Sequence, residues 1–411
     1  MNQTQNKLGK ISIECMMNSS NNNGLDTMKV TSLELKDVGG IPHLKLENIN
    51  PQINIICGEN GVGKTNILDS IALLFSQYTN GGVTISRGKD SGKISIFLDE
   101  KECSTDVVGK IPDDNWKHVD RKGSIDKTRL LYLRTNRSFE YEKIINLTTS
   151  KSIEESSNQH TKGIDSKDLK NWIVVRKGFS PENLTETERQ NSELVSRCFS
   201  IVDKKYSFSS ARANFEVYVK TPSSNGHELH FELLSSGFKS IVFMLVGIIK
   251  ELDIRFKDVM PAEDYDGIVL IDEVELHLHP KWQGEICSIL KIVFPKAQFF
   301  ITTHSPHVVQ TALQGEVIAL ERKDGAVERR DLPESEYGYQ GWTIEEILKD
   351  VMGMEDTRTN QYHEAREAFL QAFKAQDYNQ AKESFAILES MLHPKNELRV
   401  IYQMQLDSLE G

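Results

Sequence analysis

The octapeptide Gly58-Glu59-Asn60-Gly61-Val62-Gly63-Lys64-Thr65 constrains this chain more than any other stretch, because it fills every position of the pattern G-x-x-x-x-G-K-[ST]. An apolar extended run, Ile53 to Cys57, leads into it, and Asn66 to Phe75 leaves it with helical spacing. Strand, glycine loop and helix in that order make a phosphate cradle. Gly61 and Gly63 permit turns that aim backbone N–H groups inward, Lys64 reaches toward β- and γ-phosphates, and the Thr65 hydroxyl can hold Mg²⁺. Asn60 and Asn66, on either side of the glycines, complete the expected nucleotide-binding set. The fold this demands is α/β.

Two more apolar runs supply neighbouring strands. Gly267 to Asp272 and Gln298 to Thr302 are short apolar runs bounded by turns, as in strands of a parallel sheet covered on both faces. A helix over Lys281 to Val293 makes them a strand-helix-strand unit. The first ends in Asp272-Glu273: Asp272 is placed to bind Mg²⁺ through water, and Glu273 to polarise an attacking water. The second ends at His304, which the carboxyl-end rule for ligands in open α/β sheets sets near a terminal phosphate. Lys64, Glu273 and His304 are therefore the expected catalytic residues, with Thr65 and Asp272 at the metal. Leu234-Ser235-Ser236-Gly237 caps a helix starting near Phe238 and offers Ser235 and Gly237 to an anion. His277, His279, His304 and His307 match no zinc spacing with its acidic or thiol partners.

The rest of the chain reads as five segments. Residues 1–28 are rich in Asn, Ser and Lys, a polar tail with little to bury. Segments 29–148 and 205–330 carry alternating strands and the motifs above, and 101–128 between two of those strands reads as charged loop. Between them, 149–204 is polar and helix-like and suits a surface-exposed insertion. Over 331–411 the pattern is helical, and Ala365, Phe369 and Ala372 against Ala381, Phe385 and Leu388 resemble one tetratricopeptide-type hairpin. Such a hairpin needs a second surface, on the head or on a neighbouring chain.

Composition excludes several classes. With 49 Lys plus Arg against 60 Asp plus Glu, the formal charge is −11, so any DNA contact must use a local basic patch. Cys15, Cys57, Cys103, Cys198 and Cys287 are scattered without a C-x-x-C pair, which suits a reducing cytosol rather than a disulfide framework. No apolar run reaches the ~18 residues of a membrane span, and no signal-peptide core follows the start. A cytoplasmic protein is expected, with no membrane partner.

Gly58 to Asn66, Leu234 to Gly237, Ile268 to Pro280 and Thr302 to Pro306 together resemble the ABC-type ATPase heads of the RecF, SMC and OLD-like superfamily. The resemblance implies a mixed, largely parallel sheet, ATP and Mg²⁺ as ligands, and a homodimer or higher oligomer with ATP sandwiched between heads. It gives Ser235 and Gly237 a role across the dimer on the partner's γ-phosphate, makes Val274 to Pro280 the loop crossing the interface, and puts Asn136-Arg137 where the family has its Q-loop glutamine. Long heptad arms and an Asp-x-Asp nuclease signature are absent from the sequence, which sets aside SMC proteins and OLD-like nucleases. The run Tyr337 to Gly353 and the helices after it resemble the tail of PtuA-type ATPases of bacterial Septu and retron-linked defence systems. That resemblance implies a small HNH nuclease as partner. The alternatives are a RecF-like repair ATPase that clamps DNA and a non-hydrolysing nucleotide-gated scaffold.

Overall fold

The structure, a computed structural model, describes residues 28–75, 83–99, 101–108, 117–122, 125–135, 137–138, 164–179, 184–212, 214–222, 227–333, 335–354 and 356–410. The polar N-terminal segment, the start of the insertion before residue 164, and Asn136 lie outside the described residues. Strands in chain order are β1 (Val30–Val38), β2 (Ile41–Leu46), β3 (Ile53–Gly58), β4 (Ser91–Leu98), β5 (Lys101–Val108), β6 (Lys117–Lys122), β7 (Leu130–Leu133), β8 (Arg137–Ser138), β9 (Ile164–Asp165), β10 (Ser207–Ala211), β11 (Val217–Lys220), β12 (Glu228–His230), β13 (Ile268–Ile271), β14 (Gln298–Thr302), β15 (Val317–Lys323) and β16 (Ala326–Arg329). The described helices of eight residues or more are α1 (Lys64–Phe75), α2 (Ser166–Val174), α3 (Glu186–Val202), α4 (Ser236–Arg255), α5 (Ile286–Val293), α6 (Asn360–Lys374), α7 (Tyr378–Met391) and α8 (Glu397–Asp407).

A six-stranded sheet in the order β16-β15-β3-β14-β13-β7 organises the first compact unit, Met1–Gly353. Every pairing in it is parallel except β15 with β16. Because side chains alternate across a strand, each strand feeds both faces. Ile53, Ile55, Val269, Ile271, Phe299 and Ile301 join one core, while Ile56, Ile268, Leu270 and Phe300 join the other. Burial on both faces explains why these strands read as mainly apolar runs, and the buried Asn54 and Gln298 amides donate to the Asn50 and Val30 carbonyls. The second face holds α1, which touches β3, β14 and β7 on one side and β4 and β5 on the other. It is thereby clamped between the central sheet and the antiparallel sheet β2-β1-β4-β5-β6.

The first face is covered by α3, α4 and α5, and this revises the expected surface insertion. Leu169, Trp172, Ile173, Leu194, Val195, Cys198 and Phe199 are buried in the same cluster as the sheet residues. Phe199 meets Phe208 and Phe231 edge-on at 5.7 Å and lies 6.3 Å from Phe238. The buried face of α3 joins the apolar Leu194, Val195, Cys198, Phe199 and Val202, at helical spacing, to the buried polar Glu188, Asn191 and Ser192. A capping box starts α3: the Thr185 hydroxyl accepts from the Glu188 N–H, and the Glu188 carboxylate accepts from the Thr185 N–H.

The charged stretch 101–128, expected as loop, contains β5 and β6. In β5 Cys103, Ser104, Thr105 and Val107 are buried, and the charged Lys101, Glu102 and Asp106 are exposed. Charges on its solvated face hide a strand from composition.

The tail expected as one helical region divides. Tyr339, Ile347, Val351 and Met352 are buried in the core of the first unit, and the second unit is Met354–Gly411. There Ala365, Phe369, Ala372, Ala381, Phe385 and Leu388 pack together as the spacing predicts, and α8 adds Tyr402 and Leu406 to the same cluster. Phe369 and Tyr402 meet edge-on at 5.1 Å. The hairpin's second surface is thus a third helix of its own unit. No described helix is long and apolar enough to cross a membrane.

Candidate active site

The phosphate loop leaves the buried strand β3 and enters α1 without a break. Gly61 (φ 76°) and Gly63 (φ 110°) both hold the left-handed backbone that only glycine adopts without strain. A Cβ at Gly63 would lie 2.9 Å from Ile41 Cδ1, whereas one at Gly61 would meet nothing within 4 Å. The loop is therefore packed on its sheet side and open at Gly61. Asn60 and Thr65 are exposed beside it. Lys64 is buried, and its ammonium donates to the carbonyls of Gly58 at 2.9 Å and Glu59 at 3.0 Å. Burial pushes its pKa below the usual lysine value, against the pull of Cys57, Glu275, Asp272 and Glu273. An arriving polyphosphate would supply the counter-charge that loop carbonyls only partly provide.

The acidic pair stands opposite. The Thr65 hydroxyl donates to Asp272 Oδ1 at 3.1 Å, and the Thr302 hydroxyl donates to the same oxygen at 2.5 Å. Thr302 Oγ1 in turn accepts the Glu273 N–H at 2.8 Å. Glu273 itself adopts φ 48°, a left-handed turn two residues past the end of β13. Parallel pairing of β14 with both β3 and β13 brings the loop, Thr302 and Asp272 to one edge of the sheet. Thr302 is a member the sequence reading missed; a hydroxyl closing the apolar run Phe299 to Ile301 was its signal.

Also missed was a buried cluster one helical turn along α1. Asp69 accepts from Tyr132 Oη at 3.0 Å and from Arg134 at 2.7 Å, with the Arg134 guanidinium 4.6 Å from the Tyr132 ring centroid. Burial raises the Asp69 pKa against these partners. Thr65 and Asp69 are i and i+4, so one face of α1 grips the ends of both β13 and β7.

Not every expected residue faces the loop. The Asn66 amide donates to the Gly39 carbonyl at 2.5 Å, which commits it to the turn between β1 and β2. His304 is exposed just past the carboxyl end of β14, the strand between the loop strand and the Asp272 strand. Ser235 and Ser236 are exposed at the start of α4, and the Ser235 side chain makes no cap bond to the helix. Gly237 is buried, and a Cβ there would lie 2.8 Å from Trp282 Cδ1 and 3.4 Å from the His279 nitrogen. Glycine at that position lets the segment after the acidic pair pack against the start of α4.

The donors at this edge fit Mg²⁺: a hydroxyl and a carboxylate oxygen, hard ligands held together by a shared hydrogen bond. The four histidines weighed as a zinc set do not converge in the described residues. The three-donor cluster found there is Glu216, His230 and Glu232. Lys170 Nζ already sits 2.6 Å from Glu216 and 2.7 Å from Glu232, so an ammonium balances those carboxylates.

Residues 103–310 match the family model described as "AAA domain, putative AbiEii toxin, Type IV TA system". A "Septu protein PtuA" of Bacillus thuringiensis is 38% identical over 393 residues, covering 92% of this chain and 97% of that protein. The chain belongs to the Septu PtuA family. A second PtuA, from Bacillus mycoides, is 26% identical over 80% of this chain and 45% of that longer protein. The "Retron Ec83 probable ATPase" of Escherichia coli shares 36% identity over 117 residues, 27% of this chain and 21% of its own. Among solved structures, the SMC head domain from Thermotoga maritima aligns with 74% of this chain and 100% of that chain at 13% identity and TM-score 0.44, a distant likeness only. PtuA relatedness that spans nearly the whole chain takes in both compact units.

Proposed function

We propose that the chain is the ATP-binding and ATP-hydrolysing subunit of an anti-phage defence complex, in which ATP pairs two heads and the pairing controls a partner nuclease of the HNH type. Membership of the PtuA family supports the defence setting. The observation that carries the ATPase reading is the wiring of Thr65, Asp272, Thr302 and Glu273 along one sheet edge beside the phosphate loop.

In this reading Gly61, Gly63 and Asn60 hold the phosphates through the loop, and Lys64 moves its ammonium from the loop carbonyls to the β- and γ-phosphates. Thr65 and Asp272 would hold Mg²⁺, which when bound supplies positive charge to the phosphate oxygens. Glu273 orients and polarises the water that attacks the γ-phosphorus. His304 hydrogen-bonds the terminal phosphate. Ser235 and Gly237 complete the other head's site, which suits the exposed serine hydroxyls at the start of α4 and the helix N-terminus behind them. Excluding water from such a site on closure strengthens each of these contacts.

The test has two arms. Purified protein should turn over ATP in a Mg²⁺-dependent way, and affinity purification from the native host should recover a small nuclease in stoichiometric amount. Absence of turnover would remove the enzymatic reading, and a chain that purifies alone would remove the partner.

A further inference from the structure

The strand end that carries His304 and the loop that follows Glu273 are not independent. Glu275 is half-buried, and its carboxylate accepts twice: Oε2 from the Thr303 hydroxyl at 2.7 Å and Oε1 from the His304 backbone N–H at 2.6 Å. Thr303 is fully buried, and its Oγ1 accepts the Ser305 N–H at 3.0 Å. The Ser305 hydroxyl donates to Gln283 Oε1 at 2.7 Å, and the Gln283 amide donates to the Leu278 carbonyl at 2.8 Å. The chain of bonds returns to the loop where it began. Residues 275–283 and 303–305 are thus laced together by side chains, while Val274 N–H donates to the Thr302 carbonyl at 3.1 Å one step closer to the sheet.

From this geometry we infer that Glu275 is a positioning residue: it fixes the backbone from which His304 projects and makes that strand end move with the 273–279 loop. The role rests on the ATPase reading of the same site. Its ionised carboxylate is a stronger acceptor than a neutral one and takes two donors at once, which a shorter side chain at this position would not reach. A rival role exists in principle, since Glu275 also contributes to the charge felt by Lys64. Substitution separates the two. Glutamine keeps an acceptor for the His304 N–H and turns its amide toward the Thr303 oxygen, but carries no charge.

The experiment compares Glu275→Ala, Glu275→Gln and the parent by amide hydrogen exchange without nucleotide, then by ATP turnover. In Glu275→Ala the His304 amide should exchange about tenfold faster or more, the factor expected for losing a bond to a charged acceptor, while amides of Phe299, Phe300 and Ile301 keep their protection and report an intact sheet. Glu275→Gln should restore most of the His304 protection. Turnover should fall in Glu275→Ala with ATP affinity within about twofold of the parent, and should be rescued in Glu275→Gln. Added to His304→Ala, the alanine should cause no further loss, because a residue acting through His304 has nothing left to position. Unchanged His304 exchange in Glu275→Ala, a glutamine variant as impaired as alanine, or a full further loss in the double variant would each overturn the inference. A parent without turnover would count against the ATPase reading alone, and the exchange comparison would still decide the role of Glu275.

Discussion

Thr65 at the start of α1 and Asp272 past the end of β13 lie 207 positions apart in the chain and are joined by a hydrogen bond of 3.1 Å. Nothing local brings them together. Two parallel pairings do so, β3 with β14 and β14 with β13, each in a register that ends at the same sheet edge. Asp272→Asn should therefore leave metal-free nucleotide binding intact and raise the Mg²⁺ needed for half-maximal turnover by about 10–100-fold. Calorimetric titration with and without Mg²⁺, beside a Mg²⁺ titration of the rate, checks both halves.

Lys64 and Glu273 should separate binding from chemistry. Lys64→Ala should abolish ATP binding, because the loop loses its one buried ammonium. Glu273→Gln should bind ATP as the parent does and lose about 10²–10⁴ in rate, the usual worth of a positioned general base. Filter binding and phosphate release distinguish the two variants, and equal hydrolysis by Glu273→Gln and the parent would remove Glu273 from the mechanism.

Gly237 is held to glycine by its neighbour rather than by its backbone. A methyl group there meets Trp282 at 2.8 Å, so Gly237→Ala should destabilise the protein by about 1–3 kcal/mol, as overpacking does. Thermal unfolding reads the loss. Adding Trp282→Leu should recover part of it, since the contact that is overpacked is then gone.

Beneath α3 and α4 lies a buried charge network. Arg176 pairs with Glu188 at 2.7 Å and with Asp253 at 2.7 Å, and Asn191 donates to Asp253 at 2.9 Å. Asp253→Ala should cost about 1–3 kcal/mol, because Asn191 and one nitrogen of Arg176 lose a buried acceptor while Glu188 still pairs with the arginine. Burial pushes the Glu188 carboxyl up, but the Thr185 N–H and Arg176 outweigh it and hold its pKa below the ordinary 4.5. The native state then favours the ionised form, so this contribution is complete above that value and is lost as pH falls through the depressed one. Asp253, raised by burial, has the opposite sign. Urea midpoints between about pH 5 and about pH 3 should therefore fall less steeply for Glu188→Gln than for the parent.

What was legible in the sequence follows physical lines. Ile53 to Cys57 and Gln298 to Thr302 were readable because strands buried on both faces are largely apolar, and the loop was readable because its glycines have no substitute. β5 was hidden because it shows solvent the charged Lys101, Glu102 and Asp106. The burial of α3 was hidden because one apolar stripe, Leu194 to Phe199, sits in a polar helix. Thr302 and Glu275 were hidden for another reason: their roles arise only when strands distant in sequence are set side by side, and no spacing rule encodes a hydroxyl shared between Asp272 and the Glu273 amide.

In the proposed function two copies share each site, one lending Lys64 and the acidic pair and the other lending Ser235 and Gly237. Mixing two inactive variants tests this sharing. Ser235→Arg should bind ATP without turnover, Lys64→Ala should neither bind nor turn over, and an equimolar mixture should recover about one quarter of the parent rate if copies pair at random into two-fold dimers. A mixture no faster than either variant alone would contradict the shared site.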